Sequence, residues 1–336
     1  MNYSQRLSAL SGLGDIFRNV NLSFPVLQEA YIQNNWFTID MQMKALHAWA
    51  DLLEAENLNL WLDKYHLSEG SEMKTIAIIM AGNIPLVGLH DLICVLVSGH
   101  KAMIKPSSDD SVLIKWVVKE LISKNPEFEN LIVLAEDHNM KNFDAVIATG
   151  SNNSHRYFDY YFKNKPNLLR KNRNSLAVLT GNETVDELDK LADDIFLYFG
   201  LGCRNVSKVL LPQGFKLDPM ILAFERYKDM IHHNKYANNY TYHKAIFLMN
   251  LAPHLDNGFL ILKQDDLIAS PLSVLLFQFY ENLEEVKSFI HAHQDEIQCV
   301  VGNGEIEGMV AFGQSQNPGL ADYADGVDTI AFLKSL

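Results

Sequence analysis

Thr75-Ile-Ala-Ile-Ile-Met80 is a short apolar run rich in β-branched residues, and Ala81-Gly-Asn-Ile-Pro85 breaks it. Leu86 to Val97 then reads as a buried helix, Ser98-Gly99 closes it, and Lys101-Ala-Met-Ile-Lys105 reads as the next strand. Pro106-Ser-Ser-Asp-Asp110 is a loop of helix-capping residues ahead of an amphipathic stretch from Ser111 to Ile122. Leu131-Ile-Val-Leu-Ala135 and Ala145-Val-Ile-Ala148 are further strands, the second running into Thr149-Gly150-Ser151. Short strands separated by helix-length connections imply βαβ units, an α/β fold and a parallel sheet. On such a sheet, ligands bind beyond the carboxyl ends of the strands. Those ends carry Gly82-Asn83, then Lys105 with Ser107 and Ser108, then Gly150-Ser151. Three polar loops therefore fall where a nucleotide would sit.

Working outward, residues 1 to about 60 read as helices, with Leu46, Trp49, Leu52, Leu53 and Leu58 at helical spacing. Nothing there suggests chemistry. After a basic stretch, Arg170-Lys-Asn-Arg173, comes the strand Leu176-Ala-Val-Leu179. Thr184 is placed to cap a helix running to about Phe199, which ends in Gly200-Leu-Gly202 and then Cys203; Ser207 to Leu211 is a strand. The remainder reads as a second α/β lobe with helices at Leu217–His233 and Leu283–His293, strands at Phe259–Lys263, Ser273–Phe279 and Gln298–Val301, and a C-terminal strip. With 336 residues the chain exceeds what one core usually organises, so two lobes are expected.

Composition excludes several classes. The net charge of −13, from 28 basic and 41 acidic residues, opposes non-specific binding to nucleic acid. No apolar run reaches the roughly 18 residues that span a bilayer, and the first residues show no secretory pattern. Cys94, Cys203 and Cys299 are too widely spaced for a disulfide framework or a CxxC zinc site, so a cytoplasmic location with reduced thiols is expected and no metal site is. There is no GxGxxG after a strand, no Walker A loop and no HExxH. A Rossmann dehydrogenase of the usual type and a P-loop enzyme are thereby disfavoured.

Cys203 is the sharpest chemical feature. In Gly-Leu-Gly-Cys-Arg-Asn, the flanking glycines permit tight turns and close approach of a substrate. A cysteine there suits thioester formation if donors or cations, adjacent Arg204 among them, favour its thiolate; the other reading is a buried structural thiol. Asn83 has the amide an oxyanion hole needs, or is a turn or helix-capping asparagine. Lys105, with Ser107 and Ser108, suits a ribose hydroxyl or a phosphate, or is a solvated strand end. Gly150-Ser151 opens a helix, where backbone N–H groups suit a phosphate. Arg170, Lys171 and Arg173 suit the phosphate of a coenzyme, or form a solvated charged face.

The order of these elements resembles the aldehyde dehydrogenase superfamily: Gly82-Asn83-Ile-Pro85, Ile104-Lys105-Pro106-Ser107, Ala148-Thr149-Gly150-Ser151 and Phe199-Gly-Leu-Gly-Cys203, spanning about residues 74–212. Within it the chain looks most like the acyl-CoA reductase (LuxC-type, fatty-acid reductase) branch, on Tyr198-Phe-Gly-Leu-Gly-Cys-Arg-Asn-Val-Ser-Lys208 and on the tail Phe312-Gly-Gln-Ser-Gln with Asp322-Tyr-Ala-Asp-Gly-Val-Asp-Thr329. The resemblance implies an aldehyde-dehydrogenase-like fold with an N-terminal helical segment (1–60), a nicotinamide cofactor lobe (61–172), a catalytic lobe (173–312) and a C-terminal strip (313–336). It implies Cys203 as nucleophile, Asn83 with the Cys203 N–H as oxyanion holder, Lys105 at the adenosine ribose or its 2′-phosphate, and Gly150-Ser151 at the pyrophosphate. It also implies NADPH or NADH as cofactor and CoA as part of the substrate, in a homo-oligomer such as a dimer, with an acyl-activating ligase as a conceivable partner. The chain departs from the pattern in two respects that bear on chemistry. Where aldehyde-oxidising members carry a Glu-Leu-Gly-Gly motif, Leu169-Arg-Lys-Asn172 has no carboxylate to activate water, and the second family glutamate aligns near Leu267, beside Asp265 and Asp266. Acyl-CoA reduction is therefore expected; a hydrolytic aldehyde dehydrogenase, an acyl-phosphate reductase and a non-catalytic binding homologue are the rival readings.

Overall fold

The structure is a computed structural model that describes residues 1–67, 72–135, 140–150, 152–304 and 306–336, excluding the side chains of 152–154. Along the chain the helices are α1 (Tyr3–Arg18), α2 (Pro25–Gln33), α3 (Ile39–Leu52), α4 (Ala55–Leu62), α5 (Leu89–Val97), α6 (Ser111–Lys124), α7 (Asn152–Phe162), α8 (Val185–Phe196), α9 (Leu217–Phe224), α10 (Asn234–Met249), α11 (Leu283–Ala292) and α12 (Thr329–Lys334). The strands are β1 (Thr75–Ile79), β2 (Lys101–Lys105), β3 (Ile132–Leu134), β4 (Ala145–Thr149), β5 (Asn167–Arg170), β6 (Asn174–Val178), β7 (Val206–Pro212), β8 (Leu255–Asp256), β9 (Ile261–Gln264), β10 (Val274–Tyr280) and β11 (Ile297–Val301). They form two compact units, Met1–Asn172 with Gly319–Leu336, and Arg173–Pro318.

The first unit is built on a five-stranded parallel sheet of order β3-β2-β1-β4-β5. The middles of its central strands are apolar because both faces are covered, and Ile76, Ile78, Ile104 and Ile147 are fully buried. Helix α5 is apolar except at His90 and Asp91 and is almost fully enclosed (Leu92, Ile93, Val95 and Leu96 have no exposed surface). The N-terminal helices share this core through Leu10, Leu13, Phe17, Leu27 and Leu46. The last segment belongs to the same unit. Tyr323 Oη accepts the Trp61 indole N–H at 2.8 Å and is 2.6 Å from the Tyr65 hydroxyl, which donates to Asp328 at 2.6 Å.

The second unit holds a six-stranded sheet of order β11-β6-β7-β10-β9-β8, parallel except where β8 runs antiparallel to β9. Thr184 caps α8 through a capping box with Glu187, as the sequence indicates.

Three expectations are corrected. Helix α5 starts at Leu89 rather than Leu86, because Leu86 is left-handed (φ 59°). Arg170 is not in a basic link but ends strand β5, paired with Thr149 of β4. Helix α8 stops at Phe196, three residues early, because Tyr198 and Phe199 are left-handed (φ 54° and 57°). Helix α10 had no counterpart in the sequence reading.

Candidate active site

In the first unit, β1 leads to β2 on one side and the chain later returns to β4 on the other. The strand order therefore reverses between β1 and β4, the position where open α/β sheets bind ligands. Gly82 and Asn83 follow β1, and Gly150 follows β4. Lys105 ends β2, next to β1, and is half-buried; Ser108 and Asn83 are exposed. Ser151 lies outside the described residues. The β1 and β2 loops pack tightly: a Cβ on Gly82 would lie 2.5 Å from Ser107 Cβ and Oγ, so a larger residue there has no room. Ser107 Oγ accepts the Asp109 N–H at 3.3 Å, and a hydroxyl that accepts still has a proton to donate.

Behind this edge sits a group the sequence reading did not single out. Asp110 is buried and its Oδ2 accepts the Leu86 N–H at 2.8 Å, holding the left-handed turn that follows Asn83. Burial pushes its carboxyl well above the usual range, against the pull of that hydrogen bond. An ammonium, two hydroxyls and closely packed glycine-bearing loops make a donor set that fits the phosphates and ribose of a dinucleotide.

The three basic residues have different surroundings. Arg170 is buried, with Nη1 2.6 Å from Asp91 on α5 and Nη2 donating to Thr329 on α12 at 2.9 Å. It ties the sheet edge to two helices. Lys171 is exposed. Arg173, in the second unit, donates Nη1 to the carbonyls of Gln294 and Ile297, each at 3.2 Å.

In the second unit, Cys203 lies in the turn between α8 and β7 and is half-buried; all three cysteines are thiols. The chain reaches it through Tyr198, Phe199 and Gly200, three consecutive left-handed residues. The Cys203 carbonyl accepts the Ser175 hydroxyl at 3.0 Å, and Ser175 Oγ is 3.1 Å from Cys299 Sγ. The Gly202 N–H donates to Asn205 Oδ1 at 2.8 Å. Asn205 stands inside the cysteine string itself, but its type gave no hint of a role.

Residues 52–223 match the sequence profile of the acyl-CoA reductase (LuxC) family. The chain belongs to this family. Membership makes this LuxC-family chain an oxidoreductase acting on aldehyde or acyl groups. Solved structures share its fold. An indole-3-acetaldehyde dehydrogenase in complex with NAD+ superposes with a TM-score of 0.67 at 12% identity, over 90% of this chain and 72% of that one. A Mycobacterium tuberculosis aldehyde dehydrogenase with NAD+ gives 0.67 at 14%, over 90% and 73%. An E. coli NADP-dependent enzyme gives 0.68 at 10%, over 91% and 74%. No curated protein matches the LuxC-family chain by sequence. No described helix is long and apolar enough to cross a membrane.

The tail motif that pointed to the LuxC branch has a structural reading. The Asp194 carboxylate accepts the N–H groups of Gly313 at 2.7 Å and Ser315 at 2.9 Å, and Ser315 is fully buried. Lys208, also from the cysteine string, is fully buried and donates to the carbonyls of Asp265 at 2.8 Å and Leu267 at 3.1 Å. Burial pulls its ammonium down to about 8, against Asp266 and Asp265. Those carbonyls belong to the helix-free connection from β9 to β10.

Proposed function

We propose that this chain reduces an acyl-CoA to the aldehyde through an acyl group carried on Cys203. The reading is carried by Cys203: a half-buried thiol whose own carbonyl accepts the Ser175 hydroxyl and whose preceding residue, Gly202, donates to Asn205, in a member of the acyl-CoA reductase family. The Cys203 thiolate attacks the thioester carbonyl carbon. The resulting oxyanion is held by backbone N–H at Cys203 and, as the resemblance implies, by the Asn83 amide. Collapse breaks the bond to the CoA sulfur, which leaves as the thiol after taking a proton, and the acyl group remains on Cys203.

Lys105, Ser107, Ser108 and Gly150 would hold a nicotinamide dinucleotide at the β1/β4 edge. When bound in its reduced form, it supplies a hydride to the thioester carbon. The Cys203 thiolate is then the leaving group, and aldehyde is released. The stretch Leu169-Arg-Lys-Asn172 offers no carboxylate to activate water, and Arg170 is committed to Asp91. An acyl group on Cys203 therefore persists until it is reduced, which suits thioester reduction and would waste an aldehyde oxidase.

The test is intact-protein mass spectrometry after mixing with acyl-CoAs of several chain lengths and no reductant. An acyl adduct is expected on the wild type and absent from Cys203→Ala. Adding NADPH or NADH should discharge it as aldehyde. No adduct at any chain length overturns the reading.

A further inference from the structure

Gly202 and Cys203 each have one backbone group held by a dedicated side chain. Asn205 Oδ1 accepts the Gly202 N–H at 2.8 Å, and Ser175 Oγ donates to the Cys203 carbonyl at 3.0 Å. The Asn205 backbone N–H also bonds the Gly202 carbonyl at 3.0 Å, so one residue holds both polar ends of the glycine before the thiol. The other end of the same amide does different work. Asn205 Nδ2 lies 3.1, 3.2 and 2.9 Å from the carbonyls of Asp194, Ile195 and Leu197. These are groups that a helix end leaves unpaired. An oxygen facing an N–H and a nitrogen facing three carbonyls fix the orientation of this amide. It is buried, 4% exposed, so these bonds are not shared with bulk water.

The backbone just before the turn is one that side chains resist. Tyr198 and Phe199 are both left-handed, and bulky residues persist there only where their surroundings over-determine them. The Asn205 amide, bonded to Leu197 on one side of that segment and to Gly202 on the other, spans it.

We infer that Asn205, assisted by Ser175, is the positioning residue of Cys203: it pins Gly202 by its N–H and its C=O and so orients the Gly202–Cys203 peptide, whose N–H, with the Cys203 thiol, must meet the substrate carbonyl. This rests on the reading of Cys203 as nucleophile. Asn205 acts through the backbone and touches no reacting atom. A displacement of about 1 Å at a reacting group costs on the order of 10²-fold in rate, and that is the loss expected when the Gly202 bond is removed.

Asn205→Ala and Asn205→Asp separate positioning from helix capping. The aspartate keeps an oxygen for the Gly202 N–H but loses both amide protons facing the α8 carbonyls. Acylation of Cys203 by an acyl-CoA, followed by mass spectrometry, should slow by about 10²-fold in Asn205→Ala. Asn205→Asp should stay within about tenfold of wild type, although it melts at least as early as Asn205→Ala, and nucleotide affinity should move less than twofold in either. Wild-type acylation by Asn205→Ala, or an Asn205→Asp as slow as Asn205→Ala, overturns the inference. If the wild-type protein itself forms no acyl adduct, it is the acyl-CoA reading that fails. The positioning claim is then decided by iodoacetamide alkylation of Cys203 across pH, mapped on its peptide. A rate profile displaced in Asn205→Ala and restored in Asn205→Asp upholds it; identical profiles in all three proteins overturn it.

Discussion

Arg170 and Asp91 form an ion pair of 2.6 Å in which both side chains are 6% exposed. Burial disfavours the charge on the guanidinium, and the Asp91 carboxylate outweighs it, so Arg170 holds its proton more firmly than an ordinary arginine. Removing one partner leaves the other as an unpaired buried charge, which costs about 3–5 kcal/mol. Arg170→Met should therefore lower unfolding stability by about that amount in urea, and leave nucleotide affinity unchanged once the protein is folded. Replacing both partners, in Arg170→Met with Asp91→Leu, should recover much of the loss, because no isolated charge remains. Weakened nucleotide binding with unaltered stability would instead make Arg170 a phosphate contact.

His100 is 4% exposed and has a fixed pattern of partners. Its Nδ1 accepts the Lys74 N–H at 3.2 Å, which leaves Nε2 to donate to the Leu333 carbonyl at 3.1 Å. Protonating Nδ1 would set two N–H groups against each other, and burial lowers the imidazole below its usual range. The folded state therefore refuses a proton that the unfolded chain accepts below about pH 6.5, and stability is lost as pH falls through that value. The stability advantage of wild type over His100→Gln should shrink by about 1 kcal/mol between pH 7.5 and 5.5. The buried carboxyls of Asp110 and Asp194 are raised and push the other way, but they are common to both proteins and cancel in the difference. An advantage that does not change with pH would mean His100 titrates normally in the fold.

What could be read from sequence depended on whether the deciding partners were near in the chain. Strands β1, β2 and β4 were legible because apolar runs such as Thr75-Ile-Ala-Ile-Ile79 satisfy a doubly covered parallel strand by composition alone. Strand β5 was hidden because Asn167 and Arg170 make its ends polar, and Arg170 is buried only by virtue of Asp91, 79 positions away. Helix α10 was hidden because only Tyr236 and Tyr240 in it are buried, too few to mark one apolar face. Cys203 announced itself through its glycines. Asn205 and Ser175 did not, because the groups they hold around Cys203 are backbone groups, which any sequence supplies. Ser175 meets the cysteine loop from 28 positions away, across the pairing of β6 with β7.

Gly82 is required by space rather than by backbone angle. A Cβ there would lie 2.5 Å from Ser107 and 3.2 Å from the Asp110 backbone nitrogen, so the β1 and β2 loops would have to part. Overpacking of this kind typically costs about 1–3 kcal/mol. Gly82→Ala should lose stability in that range and weaken NADPH or NADH binding measured by calorimetry. Adding Ser107→Gly removes the atoms it collides with and should restore stability, while binding stays weaker than wild type for want of the hydroxyl. Full recovery of both would show that Ser107 does nothing for the nucleotide.

Asn83 follows β1 in an exposed position, and its loop is anchored three residues later where Asp110 takes the Leu86 N–H. On the proposed reading the Asn83 amide is an oxyanion donor, worth about 10²–10³ in rate, so Asn83→Ala should slow acylation of Cys203 by that factor. Its effect must fall on the chemical step: nucleotide affinity and melting temperature should stay near wild type, because the side chain is exposed and its loop keeps its own anchor. Asp110→Asn is the informative companion, since it can keep an oxygen for Leu86 yet lose the carboxyl. If Asn83→Ala acylates at the wild-type rate, the oxyanion is held by backbone groups alone and Asn83 is a turn residue. If both rate and melting temperature fall in proportion, the asparagine supports the loop and its amide has no separate part in catalysis.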